Sequence, residues 1–190
     1  MNKLTVLKFG TSERLEKMLQ FPLMEYEYDI ITKDDMNDLQ NKKILFAIEL
    51  GDTGINIELM TLLNIIRGDS DFMKNSMGGI IINSHNELFS RSIARQTIFY
   101  ANMAGCMFPG KPLSEATGSL RNFRTQQIIT EGSSSLEDIL FTDCKNVIDR
   151  IMNKKERNLR NPKILALYSG NYKTSNTYAL WNMVKENLQD

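Results

Sequence analysis

A single histidine, His85, stands in a chain of 190 residues, which excludes any site built on several histidine ligands. There are two cysteines, Cys106 and Cys144, far apart in sequence. They make no CxxC pair and no metal-ligand spacing, so they read as buried, reduced thiols. A charge excess of either sign is also missing, because 23 basic residues balance 23 acidic ones. Nothing here marks a nucleic-acid surface or an acidic tail. No apolar run is long enough to cross a bilayer. The opening stretch, MNKLTVLKFGTSERLEKM, lacks the apolar core and the small-residue cleavage pattern of a signal peptide. The expectation is a cytoplasmic protein with neither nucleic acid nor membrane as partner.

What is present is an ordinary globular balance, 42% apolar and 24% charged, enough for a packed core. Apolar strand-like runs alternate with helical patterns. Ile44 to Leu50 is a buried strand, followed by a turn of Gly51, Asp52, Thr53 and Gly54 and a helix from Ile55 to Arg67. Gly79 to Asn83 is a second buried strand. After it come a loop and a helix, ended by Gly105. A short strand lies around Leu113 to Thr117, and a loose polar stretch runs to Ser135. Leu136, Ile139, Leu140, Val147, Ile148 and Ile151 then form one stripe of a helix capped by Ser135. In the opening segment, KLTVLKF and EYEYDIIT read as strands in an antiparallel edge or hairpin, with ERLEKMLQ as a short helix. This alternation predicts a three-layer α/β fold, a mostly parallel sheet with helices on both faces.

The charged stretch KNVIDRIMNKKERNLRNP is either the tail of a core helix or a linker. It divides residues 1–160, an α/β domain, from residues 161–190, a strand, a loop and a helix. That last piece either completes the same sheet, which would then be permuted, or begins a second domain.

In open parallel sheets ligands bind at the carboxyl ends of the strands. Three strand-to-helix turns have suitable composition: Gly51 to Asn56, Asn83 to Ser90, and Tyr168 to Thr177. In the last, Ser169, Gly170 and Asn171 permit a tight turn. Thr174, Ser175 and Thr177 offer hydroxyls, Asn176 an amide and Lys173 a positive charge. A phosphate wants such donors at a helix N-terminus, although Ser, Thr and Asn also serve as plain helix caps. The loop lacks the GK[ST] ending of a nucleoside-triphosphate loop. His85 and Asn86 are candidates for contact with a ring or substrate, the simpler reading of His85 being an exposed loop residue. Arg91 and Arg95 read as a solvated helix face. Glu49, Asp52, Glu87 and Glu115 lie near different strand ends, and their spacing marks no acid–base pair. Met60, Met103, Met107, Met152 and Met183 read as core filling.

ILALYSGNYKTSNTYAL, Ile164 to Leu180, resembles the phosphate loop of the flavodoxin-like NAD(P)H-dependent FMN reductases. Ser175, Asn176 and Thr177 match the triplet that opens the first helix there, and Lys173 falls in the basic part of the loop. Gly170 and Tyr172 depart from the serine and arginine common in that family. The resemblance implies that Ser169, Lys173, Thr174, Ser175, Asn176 and Thr177 hold the phosphate of FMN. It implies NAD(P)H and an unidentified electron acceptor as partners, and a homodimer. Gly78 to Phe123 is similar to the N-terminal region of two-domain bacterial oxidoreductases whose flavin domain comes second. That likeness implies an alternative role for residues 1–160, a module without chemistry of its own that serves in dimerisation or covers a flavin domain.

Overall fold

The structure is a computed structural model that describes residues 3–31, 39–154 and 176–186, with only the backbone at Asn176 and Thr177. The chain falls into two compact units, Met1–Lys154 and Lys155–Asp190.

The first unit opens with strand β1 (Leu4–Phe9), helix α1 (Glu13–Leu23) and strand β2 (Tyr28–Ile31). Strand β3 (Lys43–Leu50), helix α2 (Ile57–Gly68), strand β4 (Ser76–Ser84) and helix α3 (Ser90–Met103) follow. Two short strands, β5 (Cys106–Met107) and β6 (Leu113–Ala116), precede helices α4 (Arg124–Ile129) and α5 (Leu136–Asn153). Helices α1, α2 and α5 each start where a side chain meets a free N–H. The Ser12 hydroxyl accepts from Leu15, the Asn56 amide oxygen accepts from Leu59, and Ser135 and Asp138 form a reciprocal capping box. In the second unit one helix is described, α6 (Asn176–Glu186).

The strand order is β2-β1-β3-β4, with β5 and β6 both on β4. Since β3 pairs with Met77 to Ser84 along one side of β4, β5 and β6 share the other side, as one interrupted outer strand. Every pairing is parallel. All six described strands lie between Leu4 and Ala116. Alternation along the strands feeds two cores. Leu4, Val6, Leu45, Ala47 and Ile81 pack against α1 and α5. Leu7, Phe9, Phe46, Ile48, Ile80 and Ile82 pack against α2 and α3. The result is the expected three-layer α/β fold with helices on both faces. Gly79 sets how close α5 can come, because a Cβ there would stand 2.5 Å from Ile151 Cδ1 and 2.8 Å from Val147 Cγ1.

The opening segment corrects an expectation. β1 and β2 form no antiparallel hairpin; they run parallel, and β1 is a central strand between β2 and β3. Helix α1 makes the crossover that a parallel pair requires. The polar stretch after β6 is not loose either, since it contains a 3₁₀ turn at Arg121–Phe123 and helix α4. Not all the methionines fill the core: Met152 is buried, whereas Met103, Met107 and Met183 are exposed. The strand expected from Lys163 to Tyr168 lies outside the described residues.

Candidate functional site

The order β2-β1-β3-β4-β6 reverses direction between β1 and β3, and the crevice outside their carboxyl ends is where this architecture receives ligands. Only Gly10, Thr11 and Ser12 separate β1 from α1. The Thr11 and Ser12 N–H groups face an anion position at the helix N-terminus. The Glu49 side chain from β3 occupies that position. Its Oε2 accepts from the Thr11 N–H at 2.9 Å and the Ser12 N–H at 3.0 Å. Gly10 makes room for it. With φ at +140°, it holds a backbone conformation that favours glycine, and a Cβ would stand 2.5 Å from Oε2 and overlap Glu49 Cβ. Burial pushes the Glu49 carboxyl up. Hydrogen bonds from Ser12, His85 and Thr11 outweigh burial and bring it below the usual carboxylate range.

Asn56 closes the same crevice from α2. Its amide donates to Phe9 O at 3.1 Å and to Glu49 O at 2.9 Å, while its oxygen caps Leu59. A cleft of about 390 Å³ remains outside, lined by Gly10, Glu49, Asn56, Ile57, Glu58 and His85 among others. His85 Nε2 lies 3.2 Å from Glu49 Oε1, and Nδ1 lies 3.9 Å from Asp52 Oδ1.

The remaining loops are tied to one another. Asn86 donates to Asp52 O at 2.7 Å, joining the loop after β4 to the loop after β3. Gly54 leaves space for the Phe89 ring, which a Cβ would overlap. Arg14, near the start of α1, reaches across the sheet edge. Its Nε donates to Asn83 Oδ1 at 2.6 Å, and its Nη2 donates to Ser84 O at 2.7 Å. The Ser119 N–H donates to Glu87 at 2.7 Å, tying down the loop after β6.

A second cleft, of about 440 Å³, lies at the start of α3 and includes Ser90, Arg91, Arg95, Glu115, Thr117 and Asn122. Glu115 accepts from Ser90 Oγ at 2.5 Å and from Arg91 Nε at 3.1 Å. Arg91 is therefore an ion-pair partner as well as part of a solvated face. Neither cysteine supplies a nucleophile, since burial pushes both thiols up to about 12. Among the described residues, no group of three or more His, Cys, Asp or Glu side chains is arranged to hold a metal. No described helix is long and apolar enough to cross a membrane.

The structure places His85 and Asn86 at the carboxyl edge, with His85 half-exposed beside Glu49. Ser169, Lys173, Thr174 and Ser175 lie outside the described residues. Asn176 and Thr177 lie in α6. Sequence reasoning missed Gly10, Thr11, Ser12 and Arg14. The signal was there in KFGTSERL, an apolar strand running through a glycine and two hydroxyls into a helix.

No protein-family model matches the chain, and no curated protein matches it. Among solved structures, the chain is similar to a short-chain flavodoxin associated with a non-canonical PDU bacterial microcompartment. The two share 8% identity with a TM-score of 0.52, over 80% of this chain and 99% of that one. It is also similar to a flavodoxin of Streptococcus pneumonia TIGR4, with 8% identity and a TM-score of 0.46, over 78% of this chain and 97% of that one. The first likeness, with the strand order, shows a flavodoxin-like fold. A flavin mononucleotide in such a fold would need its phosphate at the β1/β3 switch point. The described residues there do not fit one, because the two N–H donors of the turn already serve Glu49.

Proposed function

We propose that this chain is a flavin-associated protein whose phosphate loop is the segment Lys163 to Trp181. Ser169, Lys173, Thr174, Ser175, Asn176 and Thr177 are its contacts with FMN. The observation that supports this reading is that Asn176 and Thr177 of the matching triplet belong to helix α6, since a phosphate finds N–H donors and the positive end of the dipole at a helix N-terminus. The resemblance of that segment to the NAD(P)H-dependent FMN reductases supports the choice of flavin. When bound, a flavin takes a hydride from a reduced nicotinamide and passes electrons to an acceptor.

For residues 3–154 the geometry favours the second reading, a flavodoxin-like module without chemistry of its own. Its crevice is bridged by Asn56 and Glu49, and its thiols are buried. His85 and Asn86 then serve to tie loops together rather than to stack on a ring.

Flavin retention tests the reading. Purified full chain should release FMN on denaturation, or bind added FMN with quenching of flavin fluorescence. Asn176→Ala and Ser175→Ala should weaken that binding about tenfold or more, as expected when charge-assisted hydrogen bonds to a phosphate are lost. If these residues only cap a helix, the variants would instead lose about 1 kcal/mol of stability and keep their flavin. A colourless chain that takes up no added FMN overturns the proposal.

A further inference from the structure

We infer that Glu49 is a built-in anion that keeps a mononucleotide phosphate out of the β1–α1 turn. The fold carries a ligand crevice at its switch point and seals it with its own side chains. This does not rest on the reading of the C-terminal segment, because it concerns only Gly10 to Ser12 and what faces them.

Three independent contacts converge on the one carboxylate. Thr11 and Ser12 N–H bind Oε2 at 2.9 and 3.0 Å, and His85 Nε2 lies 3.2 Å from Oε1. The oxygens therefore occupy the donor set that a phosphate oxygen would use at this helix N-terminus. Gly10 belongs to the same arrangement, since any side chain there would collide with Glu49. The Ser12 hydroxyl is engaged as well, capping Leu15 and accepting from Asn83 Nδ2 at 2.9 Å. Charge completes the exclusion. Glu58 lines the same cleft and Asp52 faces His85, so an incoming dianion meets three carboxylates there.

Removing Glu49 should convert a closed turn into an open one. The experiment is a titration of isotopically labelled full chain with inorganic phosphate, and separately with FMN, following the Thr11 and Ser12 amide resonances. In the wild type these amides should not shift saturably with either probe. In Glu49→Ala they should shift saturably with phosphate, with affinity about tenfold or more above the wild type. Saturable shifts in the wild type overturn the inference, and so does silence in Glu49→Ala, which would make the shape of the turn, and not Glu49, the barrier. Should Glu49→Ala fail to fold, Glu49→Gln keeps the volume with a weaker, uncharged acceptor. Phosphate should displace it, and silence there overturns the inference equally. Because Ser175 and Asn176 are untouched, flavin binding through the C-terminal loop is read from its own resonances, and each idea can fail without the other.

Discussion

Replacing Gly10 with alanine tests whether the β1–α1 turn is built around Glu49. Two costs arise. The backbone at φ +140° is a conformation that L side chains rarely adopt, worth about 1–3 kcal/mol. The new Cβ also overlaps Glu49, so the carboxylate must withdraw from the Thr11 and Ser12 N–H groups. A hydrogen bond to a charged group contributes roughly 1.5–3 kcal/mol. Glu49 is 17% exposed, so water recovers part of that loss. Together the expected cost is about 3–5 kcal/mol. For a chain of this size each kcal/mol moves the melting point by about 2–4 °C, so the drop is on the order of 10 °C. Thermal melts followed by circular dichroism read it. Gly110→Ala is the control, because a Cβ there meets nothing within 4 Å and its φ is not positive. The sharper arm is a double variant. In a Glu49→Gly background, which removes the overlapped Cβ as well as the carboxylate, Gly10→Ala should cost only the backbone part, a coupling of about 2 kcal/mol between contacting residues. A Gly10→Ala protein melting within about a degree of the wild type, or full additivity in the double variant, would refute the reasoning.

The depressed Glu49 carboxyl gives stability that is fully present above its ordinary value of 4.5 and is lost as pH falls through the lower folded value. Melts of the wild type below pH 4.5 should therefore lose ground faster than melts of Glu49→Gln, and parallel curves would contradict the assignment. Arg14→Ala removes the bonds to Asn83 and Ser84 and should cost about 2–3 kcal/mol in denaturant titrations. Arg14→Lys should recover little of it, because a single ammonium cannot span both acceptors; full recovery would show that charge alone is at work.

The alternating core was legible because β3 and β4 hold unbroken apolar stretches, Ile44 to Ile48 and Gly78 to Ile82, and because Ser135 stands where a cap belongs. β1 was harder to place. Lys8 and Thr5 interrupt its apolar run, so it read as an edge. In the fold Lys8 pairs with Glu16 of α1 at the strand's end, which allows a lysine in a central strand. β2, by contrast, is a true edge, with Tyr28 and Ile30 exposed. Glu49 read as one of four carboxylates near different strand ends. Its partners are backbone N–H groups about 40 residues earlier in the chain, and composition says nothing of where those groups point. The turn KFGTSERL carries the same strand, small-residue and helix signal as the C-terminal loop. At KFGTSERL it is folding that brings a carboxylate to the turn.

On the proposed reading, flavin is held by the C-terminal loop and not by the turn of the flavodoxin-like sheet. FMN titrations of the wild type, Ser12→Ala and Asn176→Ala, read by flavin fluorescence, test it most directly. The account predicts that Ser12→Ala keeps wild-type affinity while Asn176→Ala loses it about tenfold or more. Loss of flavin in Ser12→Ala, with Asn176→Ala unaffected, would contradict it.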